Sequence, residues 1–331
     1  MGYSTGKWDG GDLVGVDSPD RPGWGLAMRK VLASFALLAF PLAFLALYWM
    51  HVYFDGHPIA KAIPSFVTFA SLAVLILLEQ FFHYEKGVSQ KRLALRDIAS
   101  TAVNVLVTGP VMRTLFVPLA MFLPQLLFGR NLYFASSAQL GPLWLQLILA
   151  TLLYEFLRYG IHRVQHIVPF LWELHSYHHS VTDLKTTNTY VSHPIDWALR
   201  NALPPIILAY VGFDPAAILF GAGVATTASL MSHCGAGLHA GWLNRMFVTP
   251  EVHRWHHSAK VPEGHRYSVN YGVGIVLWDQ LLGTYYLPMK DGVPVQPDKL
   301  GHPDGIADEP NYFKLLFLTR YLPKFSKAAR S

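Results

Sequence analysis

Between Glu155 and Ser180 the chain reads EFLRYGIHRVQHIVPFLWELHSYHHS, and five of those residues are histidines. His162 and His166 are four apart, which on a helix stacks two imidazoles on one face, a spacing that lets both reach one metal ion. His175, His178 and His179 follow at i, i+3 and i+4, so a helix there would aim three nitrogens in one direction. A second triplet of the same form, His253, His256 and His257 in HRWHH, lies far along the chain and is also followed by a serine, Ser258 against Ser180. Eight imidazoles at ligand spacing have no structural use in a helical protein, and packed without partners they would leave buried polar groups unsatisfied. Four ligands complete a tetrahedral zinc and six an octahedral ion, so eight nitrogens point to two metals. Imidazole suits iron, zinc, copper or nickel, and spacing does not choose among them.

The elements that must hold these boxes are apolar. The chain is 52% hydrophobic and only 14% charged, too apolar for an ordinary soluble domain, and it reads as a membrane protein. Residues 1–28, rich in Gly and Asp, form a flexible tail with no signal peptide. Val31–Phe54 carries no charge and is long enough to span. Arg29 and Lys30 before it put its start in the cytoplasm, so it leads out to the loop Asp55–Lys61. Ala62–Phe82 returns to Lys86, Lys91, Arg92 and Arg96, a basic loop that agrees with a cytoplasmic landing. Ile98–Phe128, interrupted by Gly109, Pro110, Arg113, Pro118 and Pro124, reads as one kinked or broken crossing. Leu140–Tyr159 is a fourth span whose far end carries the first histidine box back to the cytoplasmic side. Glu155, Tyr159, His162 and His166 share a helical stripe, so Glu155 either orients an imidazole through its N–H or pairs with Arg158.

From Trp197 to Met231 two apolar pieces, Ala202–Phe213 and Pro215–Met231, are divided by Asp214-Pro215, and the first is too short to span. If the second and third boxes share a centre, this region must enter and leave by one face, as a re-entrant hairpin or a pair of short tilted helices. His193 and His233 then stand at its two bases. Cys234 is the single cysteine; it excludes an intramolecular disulfide and reads as a small buried core residue rather than a thiolate ligand. The valines and isoleucine of Asn270–Tyr286 would suit a soluble strand. Five basic and no acidic residues among the last 21 suit an interfacial helix on an anionic leaflet and account for the net charge of +5 without nucleic acid. Phosphate-loop and dinucleotide fingerprints are absent from the sequence.

HRVQH, HSYHHS and HRWHHS, in this order and on these apolar flanks, resemble the fatty acid hydroxylase and sterol desaturase superfamily. The similarity runs from about Leu140 to Leu287. It takes in His193-Pro194, His233, Thr249-Pro250-Glu251, Asn270-Tyr271-Gly272, Trp278-Asp279 and Gly283-Thr284. Two departures stand out: Leu282 replaces the usual phenylalanine before Gly283-Thr284, and His233 and His239 are six apart where some relatives carry two histidines together. The resemblance implies an all-α, multi-pass membrane bundle of about four spans plus the re-entrant hairpin, with a cytosolic histidine-rich cap. It implies a catalytic region over 140–287, preceded by the tail over 1–28 and transmembrane helices over 29–139 and followed by a basic tail over 288–331. It implies two non-haem irons on His162, His166, His175, His178, His179, His253, His256 and His257, with His233 a ninth ligand and His193 a tenth. Glu155, Asn270 and Asp279 would take supporting catalytic roles.

The implied activity is O2-dependent hydroxylation of a membrane lipid, a fatty acyl chain or a head group such as that of a bacterial ornithine lipid. A sterol-type desaturase or an alkylglycerol-type monooxygenase is the alternative. Unactivated C–H bonds lie beyond acid and base side chains, so a metal must supply the oxidant while the protein supplies position and dryness. The sequence lacks the His-Pro-Gly-Gly signature of a fused cytochrome b5, and one cysteine cannot hold an iron–sulfur cluster, so a separate ferredoxin or cytochrome is implied as electron donor. The expected place is a bacterial cytoplasmic membrane with the active site on its cytoplasmic side. A metal transporter would need ionisable groups within its spans, and these show few apart from Arg113 and Glu155. A haem electron carrier would need facing histidine pairs inside the bilayer, not dense clusters at its boundary.

Overall fold

The structure is a computed structural model that describes residues 69–80, 91–129, 136–237, 239–302 and 311–318. The tail over 1–28, the span Val31–Phe54, the loop Asp55–Lys61, Lys86 and residues 319–331 of the basic C-terminal segment lie outside the described residues. What is described is mainly helical. Helix α1 is Phe69–Gln80. Helix α2 starts with Lys91–Val103 and continues through Gly109–Val111 to Val117–Phe128. Where the prolines led us to expect a kink or a break, α2 stays continuous by opening into π-helical turns at Asn104–Thr108 and Met112–Phe116. Pro110 and Pro118 each lack an N–H and crowd the carbonyl four residues back, at Leu106 and Thr114, and the wider turns absorb both faults. The rod ends at Gly129, whose φ of +64° suits a residue without Cβ.

Leu95–Phe128 and Pro215–Ser232 are the two described helices long and apolar enough to cross a membrane. Along α2, Leu106, Phe122 and Leu126 are 70%, 62% and 67% exposed, an apolar exterior that water would not tolerate. The protein is therefore a membrane protein.

Helix α3, Leu143–Ile167, is the spine of the fold. Its Leu147, Ala150 and Tyr154 pack with Leu208, Phe213, Ala217, Ile218 and Ala225 in the main apolar core. Those partners come from α5, Pro194–Val211, from α6, Pro215–Ser232, and, for Phe213, from the turn that joins them after the left-handed Gly212. The two form the hairpin expected from Asp214-Pro215, with one difference: the first arm begins at Pro194 and has 18 residues, about 27 Å at 1.5 Å per residue. Its extra turns carry Asp196 and Arg200, which kept them out of the apolar count. Gly109 lets α2 close on this arm, since a Cβ there would meet the Trp197 ring at 3.2 Å.

Between α3 and α5 runs α4, Pro169–His175, followed by a 3-10 turn at His178–Ser180. Helix α7, Pro250–His256, and α8, Leu277–Leu281, lie beyond the hairpin. Asn270–Tyr286 forms α8 and loops rather than a strand, its one ladder contact an isolated bridge between Phe247 and Ile275. The only described strands, β1 Met289–Lys290 and β2 Val293–Pro294, make a hairpin turned by Asp291 and Gly292, both at positive φ. Helix α9, Tyr312–Leu318, packs through Tyr312 and Leu316 against Tyr177, Val181, Leu184 and Leu300.

Two buried polar groups tie the membrane helices to this framework. Glu79 of α1, which lies within the expected return span Ala62–Phe82, accepts from Thr186 N–H, Thr186 Oγ1 and, at 2.8 Å, Gly235 N–H. Asn104 of α2 donates to the Tyr190 and Ser192 carbonyls at 3.0 and 2.9 Å. Cys234 sits in an apolar cluster with Leu75, Leu230 and Ala236, as expected of a core residue.

Candidate metal centre

His162 and His166 ride on the last turns of α3. The helix stops just beyond them because Pro169 drives Val168 into an extended conformation, φ −87° and ψ +117°. The chain folds back at once as α4 and delivers His175 to the same place. Because α4 ends at His175, the second box is not one helix face, and His178 parts from His175 and His179.

Nine histidines converge in two groups, each with its ligand nitrogens within 4.8 Å of one another: His162, His166, His175, His179 and His256 in one, His178, His233, His253 and His257 in the other. Histidines four apart stay together, as with 162 and 166, 175 and 179, 253 and 257. The histidine at i+3 crosses to the other group, His178 from the second box and His256 from the third. Single-direction boxes were the expectation; the structure interleaves them. His233, the C-cap of α6, joins the four-histidine group, with its Nε2 3.3 Å from that of His178.

The outer nitrogens show which tautomer is held. Nδ1–H of His162, His178, His233 and His256 donates to the carbonyls of Tyr271, Val191, Ser229 and Val269 at 2.8–3.0 Å. Nδ1–H of His175 donates to Asp196 Oδ1 at 3.0 Å. With Nδ1 protonated in a neutral ring, Nε2 is a bare lone pair turned to the centre. His162 Nε2 then faces His175 Nε2 at 3.1 Å, and His178 faces His233 at 3.3 Å, lone pair against lone pair. No hydrogen bond can join such pairs; a cation among them can. The buried His166 Nε2 and both nitrogens of His253 and His257 have no hydrogen-bond partner among the described residues. Burial, helped by repulsion from neighbouring imidazoles or Arg200, holds His178, His179, His253 and His257 well below the usual histidine pKa. Burial pushes His233 down to about 4 and His256 to about 3. All are neutral at pH 7, the form that binds metal. Nine imidazoles fit a pair of borderline transition-metal ions.

Around the groups stand residues that aim them. Asp196, fully buried, accepts from His175, from Gln165 Nε2 and, at 2.7 Å, from Arg200. Burial opposes its charge, yet Arg200 and His175 outweigh this and keep its pKa below the usual carboxylate value. Sequence reasoning passed over Asp196; the available signal was a carboxylate three residues after His193, with a cation at i+4, in an otherwise apolar segment. His193 itself stays out of both groups, since it caps α5 through an Ile195 N–H to Nδ1 bond of 3.2 Å, and Pro194 turns the chain away.

Glu155 touches no imidazole and has no hydrogen bond to Arg158. Its Oε2 accepts from Gly274 N–H at 2.7 Å and Ile275 N–H at 3.3 Å, pinning the loop after Tyr271. Asp279 accepts from the N–H groups of Tyr271 and Gly272 and from Thr284 Oγ1, each at 2.7 Å. A Cβ on Gly272 would lie 2.6 Å from that carboxylate, so only glycine fits. Asn270, held at φ +56°, bonds the Val252 carbonyl and both backbone groups of Tyr286. These three side chains shape the bend whose Tyr271 carbonyl receives His162, and act on the centre through that bend. His239 is outside the groups, bonded to Glu251 at 3.0 Å, and Glu251 also accepts from Ala240 N–H and Asn244.

Comparison with known proteins agrees with this geometry. The fatty acid hydroxylase family profile matches residues 147–284. The chain is 33% identical over 227 residues to the ornithine lipid hydroxylase OlsE of Rhizobium tropici, covering 67% of this chain and 66% of that one. It is 28% identical over 156 residues to sphinganine C4-monooxygenase 2 of Arabidopsis thaliana, 46% of this chain and 59% of the relative. To the alkylglycerol monooxygenase of Xenopus tropicalis it is 27% identical over 148 residues, 42% and 30% of the two chains. The chain thus spans just under two thirds of the first relative's length and less of the others. No solved structure matches it. With all nine converging histidines inside the matched segment, the chain belongs to the fatty acid hydroxylase and sterol desaturase superfamily.

Proposed function

We propose that the protein is an oxidoreductase, an O2-dependent membrane monooxygenase that hydroxylates a lipid, with two non-haem irons as its cofactor. The observation that carries this reading is the convergence of nine buried imidazoles in two groups, five of them with Nδ1–H bonds that leave Nε2 as a bare lone pair for metal. In this reading His162, His166, His175, His179 and His256 hold one iron and His178, His233, His253 and His257 the other, within a catalytic region over 140–287. Iron held there supplies the one-electron redox steps that O2 activation and attack on an unactivated C–H bond require. The chain supplies the rest. Asp196 orients His175; Asp279, Asn270 and Glu155 hold the loop that orients His162; burial excludes water from the reacting position.

The named relatives are hydroxylases and monooxygenases, which favours hydroxylation over desaturation, and the one from Rhizobium tropici acts, by its name, on ornithine lipid. The substrate proposed is accordingly an ornithine-type aminolipid or its acyl chain. The electrons come from a separate ferredoxin or cytochrome. The protein is a multi-pass protein of a bacterial cytoplasmic membrane, its histidine cap on the cytoplasmic side, a reading supported by the basic residues at the start of α2, Lys91, Arg92 and Arg96.

The test is metal and product analysis on the purified, detergent-solubilised chain. Two non-haem irons per chain, and a lipid product heavier by one oxygen atom after incubation with ornithine lipid, O2 and reduced ferredoxin, are expected. A metal-free or haem-bearing protein would overturn the reading; intact iron with an unsaturated product would move it to desaturation.

A further inference from the structure

The two histidine groups differ in what touches them from outside. Among the described residues, the only aromatic rings that His178, His233, His253 and His257 meet are other imidazoles. The five-histidine group is flanked by two other aromatic rings. Tyr271 lies 5.2 Å from His166 between centroids, but is buried, with its hydroxyl spent on the Ser268 carbonyl at 2.6 Å. Trp172, midway along α4, lies 4.9 Å from His166 and 5.3 Å from His179, and it is partly exposed. Its indole also stacks on His302, 5.6 Å away and 27° from parallel. One π system therefore meets three imidazoles of the group, His175 being the third at 6.3 Å, and reaches the surface.

We propose that Trp172 is the port through which electrons enter the five-histidine group. This rests on the oxygenase reading above. The balance is that of a monooxygenation: lipid C–H, O2, two electrons and two protons give lipid C–OH and water, and a one-electron carrier is oxidised twice per turnover. A buried centre receives those electrons across protein. Electron transfer falls steeply with the non-bonded gap to be crossed, and a ring in contact with the ligands at one edge and with the surface at the other shortens that gap. The indole bridges and is itself neither oxidised nor reduced on balance.

The experiment compares the full-length iron-loaded chain with its Trp172→Phe and Trp172→Leu variants. Iron content and the visible spectrum are measured first, and then reduction of the ferric centre by a reduced [2Fe–2S] ferredoxin in stopped flow. The expected result is unchanged iron and spectrum, with ferredoxin-driven reduction slowed roughly tenfold or more in Trp172→Leu, about 1.4 kcal/mol of barrier, and by less in Trp172→Phe. A Leu variant that keeps its iron and is reduced as fast as wild type overturns the proposal. So does loss of iron in both variants, which would make the ring a packing wall. Should Leu alone lose iron, the Phe variant decides: slowed reduction at full iron supports the port, and an unchanged rate overturns it. Failure of the wild-type chain to hold iron or accept electrons would count against the oxygenase reading, and so is distinguished from failure of the port.

Discussion

Replacing Asp196 by asparagine keeps the shape of a fully buried side chain and removes its charge. In the native chain its oxygens accept from His175 Nδ1–H, Gln165 and Arg200. An amide offers one oxygen and one NH2, so at least one of these donors would face another donor. The loss of a hydrogen bond between charged or charge-assisted groups is worth about 1.5–3 kcal/mol. Removing the carboxylate behind a metal-binding histidine costs about 10–100-fold in metal affinity, or about 1.4–2.7 kcal/mol. Because His175 is the one converging imidazole that Asp196 bonds, and it belongs to the five-histidine group, the penalty falls on that group. Under a graded chelator challenge, Asp196→Asn should lose the first iron at about 10–100-fold lower chelator than wild type and keep the second near its normal resistance. Leaving Arg200 buried beside a neutral partner should also lower the melting temperature in detergent. Wild-type chelator resistance of both irons in Asp196→Asn would refute the orienting role. Equal weakening of both would show instead that the substitution loosens the whole cap.

His233→Ala should lose iron toward one per chain together with turnover, whereas full iron and near-normal activity would make His233 only a helix cap. His178→Ala and His256→Ala should abolish product formation while the protein still inserts in membranes, as followed by fractionation and product mass. Asp279→Ala should weaken the Tyr271–Gly272 bend by about 1–3 kcal/mol for each buried N–H left unpaired, seen as a lowered melting temperature with reduced iron retention. The metal-free protein should lose stability as pH falls. Its buried histidines stay neutral down to about 4 for His233 while unfolded imidazoles bind protons below about 6.5, so the unfolded state gains over that window; thermal unfolding at pH 7.5, 6 and 5 checks the sign.

The spacing of histidines made much of the centre legible, because covalent spacing survives folding: His162 and His166 meet as two residues four apart on a helix should. His233 was legible from its place at the end of an apolar run. The division of each triplet between two groups was not: in the second box it follows from Pro169 ending α3 and α4 stopping at His175, and in the third His253 and His256 share one helix yet serve different groups, which only tertiary packing decides. Asp196 and Glu79 were hidden for a different reason. Each lies in a segment whose other residues describe a membrane helix, and their partners, His175 and Arg200 for one, Thr186 and Gly235 for the other, are brought to them only by tertiary packing. Glu155 was expected to orient an imidazole or to pair with Arg158; its partner instead is a backbone N–H 119 residues away, which carries no sequence signal.

The Glu79 carboxylate also bears on how far the family-matched segment can stand alone. Residues 147–284 contain every converging histidine, yet the groups behind the four-histidine cluster are fastened from outside that stretch. Glu79 joins the Thr186 turn to Gly235, two residues after His233, and Asn104 holds the Tyr190 and Ser192 carbonyls on either side of Val191, whose own carbonyl receives His178. Cut at the family's edges, the segment would keep all of its donor atoms and lose the braces that hold His178 and His233 at their mutual distance. The unit that is inherited as a recognisable sequence is thus smaller than the unit that can be folded as a working part, and the difference is made up by the helices that precede it.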